Sequence, residues 1–380
     1  MKSARKLFAA VLFLTVSLLF STAARAQTPH VFYVPPGGNL WELTYNASNG
    51  SWVTTNTFDG QVPYPLNTTI ASFAGGGKIY VCYFNNTNGE PPNSVYVMSS
   101  TNPTNNEAWT TAAASAVNVD VTSGLTGVVD ASGIPRIFYV ALYTDGVEYL
   151  YESYWTGSGW ENIQLYGGVK AGSVLSAYLY EGTVHVYYIA VDGSIHQHWL
   201  VGSTWYDVDV TVDSGGPYPV SGSPLVTYQY NSQASIYFIA NDNHVHQDFY
   251  VGSSWANNDV TEMAGAPNCY PGSSLTGYMY AGDPRINYIA VDGHIHQMWW
   301  TGSKEATDDW TSLSGAVPPL IPSPLTGYSF NGQATVFYAI LSGQYYLGES
   351  YYNGSQTLRY EFGLEDQGGT SPNGLAYAVF

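Results

Sequence analysis

The chain repeats itself at an interval of 50 residues, and this period limits the folds that it can adopt. Leucines mark the same point of successive repeats, at Leu125, Leu175, Leu225, Leu275, Leu325 and Leu375. Each leucine opens a strand-like segment, which a second segment such as HVYYIA or RINYIA follows. A turn containing Asp-Gly, a third segment such as IHQHWL and a fourth such as TWYDVDVT complete the unit. Four strands within roughly 40 to 50 residues are typical of one blade of an all-β propeller.

The two ends of the chain predict how the ring of blades closes. The segment HVFYVPPGGNLWELTYN, from His30 to Asn46, matches a second and a third strand with no first strand before it. Leu375 to Phe380 match a first strand with nothing after it, so the two ends would complete one blade and leave no free sheet edge. With a divergent unit at 68–122 and five clear units after it, the sequence predicts a single seven-bladed domain. Six blades are the alternative, if 68–122 is an insertion.

The N-terminus has the pattern of a secretory signal. Three basic residues among the first six precede an apolar run of 14 residues, Leu7 to Phe20, and Ala24-Arg25-Ala26 forms a small-x-small cleavage site. The run is too short to serve as a membrane span. We therefore expect 1–26 to be a signal peptide and 27–380 to be a secreted or periplasmic propeller domain.

Charge argues against two classes of partner. The chain carries 10 Lys and Arg against 28 Asp and Glu, for a net charge of −18. Four of the basic residues and none of the acidic ones lie in the predicted leader, so the mature domain keeps 6 basic residues and a net charge of −22. Such a surface repels phosphate backbones and anionic lipid, so we expect neither nucleic-acid binding nor membrane insertion. Oligomeric state is left open.

Common enzyme signatures are absent from the sequence. It contains no HExxH, GxSxG, P-loop or CxxC motif, and no Asp-box of the kind that sialidase propellers carry. Acidic residues do not recur in close pairs that suggest a glycosidase dyad, although a dyad could still form across blades. We therefore predict a protein that is not an enzyme.

Histidines recur in the third strand of three repeats. His196, His246 and His296 share one column, and each has a second histidine nearby, at His198, His244 and His294. A His-x-His spacing on a strand places both rings on one face, which metals can use. The second histidine follows the column in one repeat and precedes it in two, so we expect hydrogen bonding within the blade, with no metal site and no cofactor.

The next column suggests a different chemistry. Most repeats offer a donor on the second strand, a Glu or Gln on the third and a Trp on or near the fourth. The sets are His30, Glu42 and Trp52; Arg136, Glu152 and Trp160; His185, Gln197 and Trp205; Ser235, Gln247 and Trp255; Arg285, Gln297 and Trp310; and Thr335 with Glu349. Such groups suit a sugar, because polar side chains bond its hydroxyls while an aromatic ring covers its C–H face. The alternative is that the tryptophans only pack the blades.

The unit "strand with Arg, hairpin, I-H-[EQ]-x-x-W, G-S-x-W" resembles the fungal fucose-specific lectins, typified by the orange-peel mushroom lectin, and their bacterial relatives. The resemblance covers nearly all of 27–380. It implies that fucose binds between adjacent blades without metal, with an Arg and a Glu on its hydroxyls and ring oxygen and an aromatic ring on its C-methyl group. The full trio occurs once, as Arg136, Glu152 and Trp160.

This chain departs from the family in ways that weaken most sites. Gln replaces Glu in three repeats, which removes the charge that strengthens bonds to hydroxyls, and family members have six blades. Our leading hypothesis is a metal-independent lectin for fucosylated glycans. The second is a non-catalytic scaffold for protein interactions at the cell envelope, and the third is a polysaccharide-active enzyme.

Overall fold

The computed structural model describes residues 28–34, 40–46, 48–55, 65–85, 94–101, 109–115, 118–143, 145–341, 345–363 and 374–379. The predicted signal peptide, 1–26, lies outside the described residues, so it stays a prediction. No helix in these ranges is long and apolar enough to span a bilayer.

The described ranges form 28 strands and three one-turn helices. In chain order the strands are β1 (Pro29–Val34), β2 (Trp41–Asn46), β3 (Ser51–Thr55), β4 (Pro65–Gly75), β5 (Lys78–Asn85), β6 (Ser94–Ser100), β7 (Thr110–Ala113), β8 (Leu125–Val129), β9 (Pro135–Leu142), β10 (Glu148–Trp155), β11 (Trp160–Gly167), β12 (Ser176–Tyr180), β13 (Thr183–Ile189), β14 (Ile195–Val201), β15 (Thr204–Asp209), β16 (Leu225–Tyr230), β17 (Gln233–Ile239), β18 (Val245–Val251), β19 (Ser254–Asp259), β20 (Leu275–Tyr280), β21 (Asp283–Ile289), β22 (Ile295–Trp300), β23 (Glu305–Asp309), β24 (Leu325–Phe330), β25 (Gln333–Leu341), β26 (Tyr345–Tyr352), β27 (Thr357–Gly363) and β28 (Gly374–Val379). The helices are α1 (Val210–Ser214), α2 (Val260–Ala264) and α3 (Trp310–Ser314).

The strands form seven antiparallel sheets of four strands each, so the predicted seven-bladed propeller is confirmed. Blade 1 consists of β28, β1, β2 and β3, and blades 2 to 7 take the remaining strands in consecutive fours, from β4–β7 to β24–β27. The divergent unit supplies blade 2 and is not an insertion. The first strands of successive blades contact one another in order around a closed ring.

Blade 1 joins the two ends of the chain, as predicted. Strand β28 pairs antiparallel with β1 over six residue pairs, from Pro29 opposite Val379 to Val34 opposite Gly374. Every side chain of β1 from Pro29 to Val34 is buried. The closing contact therefore covers a sheet edge that the N-terminal strand would otherwise expose.

Side chains of the second strands pack against both neighbouring blades, and this packing builds the core. On β13, Tyr187 and Ile189 join a cluster with blade 5, whereas Val186 and Tyr188 join a cluster with blade 3. The alternation follows from the two-residue period of a strand. A strand buried on both faces has a continuous apolar sequence, which explains the runs VYYIA and IYFIA.

The three helices interrupt the predicted fourth strands of blades 4 to 6. Each begins after an aspartate, Asp209, Asp259 or Asp309, whose Oδ1 accepts a hydrogen bond from a backbone N–H of the first turn. Each helix ends at a glycine in the left-handed region, for example Gly265 at φ 63°. Aspartate as N-cap and glycine just after the helix are standard signals for the ends of a helix. The sequence analysis missed them because it assigned these residues to the fourth strands.

Truncation tests the closing contact. Deleting residues 374–380 removes the six residue pairs between β28 and β1, and at roughly 0.5–1.5 kcal/mol net for each hydrogen bond the loss should reach several kcal/mol. We expect a lower melting temperature and aggregation through the exposed β1 edge. The matched control is a permutant that places 374–379 before Pro29 through an Asn-Gly turn, which should restore stability. Equal stability of the truncated and full-length proteins would contradict this account of closure.

Candidate binding clefts between blades

The predicted donors and acceptors meet on neighbouring strands of each blade. His185 on β13 and Gln197 on β14 are 2.6 Å apart between Nδ1 and Nε2. Corresponding pairs also in contact are Ser235 with Gln247 (3.1 Å), Arg285 with Gln297 (3.4 Å), His30 with Glu42, and Arg136 with Glu152. Tryptophans at one common position of the fourth strand are Trp52, Trp160, Trp205 and Trp255.

Two of these tryptophans lie beside acidic residues of the preceding blade. The Trp205 indole of blade 4 lies beside the Glu152 carboxylate of blade 3 and packs edge-on against Phe138, with 5.8 Å between ring centroids. Trp52 of blade 1 lies beside Glu349 of blade 7 in the same way. A complete set of donor, acceptor and tryptophan therefore comes from two adjacent blades.

Trp160 consequently lies in a different cleft from Arg136 and Glu152. Its ring packs on the core cluster between blades 2 and 3, which contains Cys82. The sequence predicts these three residues as one trio within a blade, and that grouping is wrong. The side chain that completes the pair is Trp205.

Trp310 does not occupy the fourth-strand position. It is the first residue of α3, is 3% exposed and belongs to the core between blades 6 and 7. The position that Trp255 holds in blade 5 is held in blade 6 by Glu305, which pairs with Trp300. Trp255 follows Gln247 by eight residues, and the same spacing counted from Gln297 would have found Glu305 in the sequence. Burial raises the pKa of the Glu305 carboxyl to about 7.

In the cleft between blades 3 and 4, Arg136 is held by two carboxylates. Its Nε donates to Asp130 at 2.8 Å, Nη1 donates to Glu152, and the guanidinium lies 5.5 Å from the centre of the Tyr154 ring. Burial acts to lower the pKa of Arg136, but Glu152 and Asp130 together raise it. Burial raises the pKa of Glu152 despite the arginine. Because Glu152 is fully buried, it orients Arg136, and Arg136 is the member of the pair that a ligand can reach.

An open cavity of about 380 Å³ lies in the cleft between blades 4 and 5. Blade 4 supplies His185, Gln197 and Trp199 to its wall, and blade 5 supplies Tyr250 and Trp255. Small-molecule sites generally occupy roughly 300–1,000 Å³ and combine apolar walls with a few polar groups. Both the size and the lining of this cavity fit that description.

His185 provides a neutral donor in this cavity. Burial lowers its pKa to about 4, so the ring is uncharged near pH 7. Its Nδ1 accepts from the Gln197 amide, which places the ring proton on Nε2. The same amide contacts the Tyr187 hydroxyl at 2.6 Å. The pair therefore offers fixed hydrogen-bonding groups beside the Trp255 ring.

The cleft of blade 6 contains a second arginine in an aromatic setting. The Arg285 guanidinium lies 4.8 Å from the centre of the Trp299 ring and 5.4 Å from that of Tyr280. Its Nη1 contacts Gln297 at 3.4 Å, and burial lowers the pKa of the arginine. Without a Glu at this column, Arg285 is held more loosely than Arg136.

The histidine columns make hydrogen bonds within their own blades, as predicted. His196 contacts Asp207 at 3.2 Å, and His246 contacts Asn257 at 3.0 Å. His198 is not equivalent to the second histidines of the other blades, because its Nε2 bonds to Tyr188 at 3.0 Å. The position of the second histidine therefore differs in blade 4 only, whereas His244 and His294 occupy equivalent positions in blades 5 and 6.

Comparison with known proteins supports the fold. No protein-family model and no curated protein sequence matches the chain. A mutant of AofleA from Arthrobotrys oligospora superposes with a TM-score of 0.51 at 13% identity, over 82% of this chain and 90% of that chain. The fucose-specific lectin from Aleuria aurantia superposes with a TM-score of 0.50 at 18% identity, over 81% of this chain and 96% of that chain. SapL1 lectin in complex with α-methyl fucoside superposes with a TM-score of 0.50 at 17% identity, over 79% of this chain and 97% of that chain. At such identities the likeness shows a shared propeller fold.

The buried carboxyl of Glu349 predicts a pH-dependent stability. Burial raises its pKa to about 8 from an ordinary value of 4.5, so between these values the native protein holds a proton that the unfolded chain has released. The free energy of unfolding should therefore fall as the pH rises through this window. Glu349→Gln, which gives blade 7 the residue of blades 4 to 6, should flatten the profile in denaturant titrations from pH 5 to pH 8. Glu305 contributes equally to both proteins, so parallel profiles would refute the assignment.

Proposed function

We propose that this protein binds carbohydrate, with fucose or fucosylated glycans as the ligand, in the clefts between its blades. The sugar would be held without a metal ion. The chain would be exported by its N-terminal segment, and the ligand would be a glycan outside the cytoplasm.

One observation carries the proposal: a polar pair from one blade and a tryptophan from the next line the same cleft. Between blades 4 and 5, His185, Gln197 and Trp255 surround a cavity of about 380 Å³. Between blades 3 and 4, Arg136 is oriented by Glu152, and Glu152 lies beside Trp205. A sugar needs both features, because its hydroxyls require directed hydrogen bonds and its C–H face favours an aromatic ring.

Two further facts favour fucose over other sugars. The repeat resembles that of fucose-specific lectins in its Arg, Glu and Trp positions. The structurally similar Aleuria aurantia lectin is described as fucose-specific, and SapL1 is in complex with α-methyl fucoside. Several weak clefts on one ring would still bind a clustered glycan surface strongly through multivalency.

A glycan array probed with residues 27–380, with and without EDTA, tests the ligand class. We expect selective binding to fucosylated glycans that chelation leaves unchanged. Binding to other glycans only would refute fucose and keep the lectin. A blank array from folded protein would refute the lectin and favour the protein-interaction scaffold.

Substitution of single tryptophans tests the pairing across blades. Trp205→Ala should remove the aromatic ring beside Glu152 in the cleft between blades 3 and 4. Sugar binding at that cleft should weaken by about 10- to 100-fold, as expected for a stacking contact worth roughly 1–3 kcal/mol. Trp160→Ala is the matched control, because Trp160 lies in the preceding cleft and should leave the Arg136 site intact. Calorimetric titration with α-methyl fucoside reports both affinity and number of sites. If Trp160→Ala and not Trp205→Ala weakened this site, the pairing would be wrong.

A double substitution separates binding from folding. Arg136→Ser with Glu152→Gln gives blade 3 the pair that blade 5 carries as Ser235 and Gln247. The charges of Arg136 and Glu152 are removed together, so the fully buried Glu152 is not left as an unpaired ion. Asp130 loses Arg136 but keeps the hydrogen bonds that its Oδ1 accepts from the backbone N–H groups of Ser132 and Ile134. We expect an unchanged fold and the loss of one binding site in the same titration. An unchanged number of sites would exclude Arg136 from binding.

A further inference from the structure

Four potential metal ligands converge at one end of blade 5. Asp242 and His244 lie in the turn between β17 and β18, His246 is the second residue of β18, and Asp259 caps α2. One side-chain atom from each of the four comes within 4.8 Å of all the others. The first three are close in sequence, and Asp259 joins them because it lies opposite His246 at the end of the fourth strand.

The distances suit a small ion. His244 Nδ1 lies 2.7 Å from Asp259 Oδ2, and His246 Nε2 lies 3.1 Å from Asp242 Oδ2 and 3.8 Å from Asp259 Oδ2. A tetrahedral zinc ion with ligand bonds of about 2.0–2.2 Å places its ligand atoms about 3.3 Å apart. The observed separations scatter around that value, so an ion could enter with small movements of the side chains.

The carboxylates of the cluster in blade 5 are available to bind an ion. Asp259 uses Oδ1 to cap α2, which leaves Oδ2 for the cluster. The Asp242 side chain is 46% exposed and that of His244 is 25% exposed, so the cluster is open to solvent on one side. Within the described ranges, the ion pairs of both carboxylates are to these histidines alone. A cation would offset two carboxylates in a strongly acidic protein.

Blade 6 repeats part of the arrangement, because Asp292, His294 and Asp309 form a close group that leaves out His296, and blade 4 lacks a different member. In blade 6, His294 Nδ1 lies 2.8 Å from Asp309 Oδ2, and His296 Nε2 lies 2.9 Å from Asp292 Oδ2. In blade 4 the corresponding group is Asp192, His196 and Asp209, and Ser194 takes the place of His244.

We propose that blades 5 and 6 each bind a divalent transition-metal ion, with zinc as the expected occupant. In blade 5 the ligands are Asp242, His244, His246 and Asp259, and in blade 6 they are Asp292, His294 and Asp309, with His296 beside Asp292. Two imidazoles with two carboxylates favour zinc and related ions over calcium, which takes oxygen ligands. The bound ion would tie the hairpin between the second and third strands to the cap of the helix.

These sites are separate from the sugar clefts. His246 and Gln247 point to opposite faces of the sheet, and Gln247 contacts Ser235. None of the four ligands of blade 5 lines the cavity between blades 4 and 5. Chelation should therefore lower stability and leave sugar binding unchanged. Failure of the metal proposal and failure of the proposed lectin function are thus distinguished in one set of experiments.

Equilibrium dialysis of residues 27–380 against Zn²⁺, read by elemental analysis, tests the proposal. We expect about two tightly bound ions per chain, a rise in melting temperature with Zn²⁺ and its reversal by EDTA. Co²⁺ should give the visible absorption of a tetrahedral site. No bound zinc, or calcium bound with equal affinity, would overturn the assignment.

A pair of variants assigns the ions to these residues. His244→Ser with His294→Ser gives blades 5 and 6 the serine of blade 4 and should weaken Zn²⁺ binding at least about tenfold, because each site loses a ligand. His198→Gln is the control, since His198 bonds to Tyr188 and Asp207 and should bind zinc as the parent does. Equal zinc affinity in the serine variant would refute the proposed ligand set.

Discussion

The packing of second-strand side chains between neighbouring blades is the interaction on which the structure depends. Val186 and Tyr188 of blade 4 lie in the cluster with blade 3, and Tyr187 and Ile189 lie in the cluster with blade 5. Each described core cluster is shared by two blades in this way, so a blade has no core of its own. A ring of such units is stable only when the last interface is made, which is why the C-terminal strand completes the blade of the N-terminal strand.

The same interfaces create the binding clefts. A residue at the rim of one blade faces its neighbour, so a site at the rim takes polar groups from one blade and a ring from the next. Trp205 lies beside the buried carboxyl group of Glu152, and Trp52 lies beside that of Glu349. These tryptophans therefore pack the interface, and in the proposed function they also line the sugar clefts. The polar pair can change from Arg136 and Glu152 to a serine and glutamine while the interface keeps its shape.

Alternation along one strand separates two kinds of chemistry. On β18, His246 faces the turn residue Asp242 and the helix cap Asp259, whereas its neighbour Gln247 contacts Ser235 beside the cleft. A strand presents successive residues to opposite faces, so the proposed metal ligands and the proposed sugar ligands can occupy adjacent positions without competing. A substitution at one of these positions then leaves the other unchanged. In blade 4, for example, Ser194 replaces the histidine of blades 5 and 6, whereas Gln197 is the same residue as Gln247 and Gln297.

The sequence alone was sufficient to determine the number of blades, their closure and the strands that carry the polar columns. These features depend on local periodicity: 50 residues for a blade and two residues for a strand face. Tertiary structure decided which blade each side chain meets. Trp160 and Trp205 are equivalent in the repeat, yet only Trp205 contacts Glu152. Repeats related by rotation have the same sequence pattern whichever neighbour they face, so only the closed ring assigns a tryptophan to its partner. Trp310 is a second example. The sequence predicts it at a cleft, but Asp309 begins a helix there, and Trp310, the first residue of that helix, lies in the core.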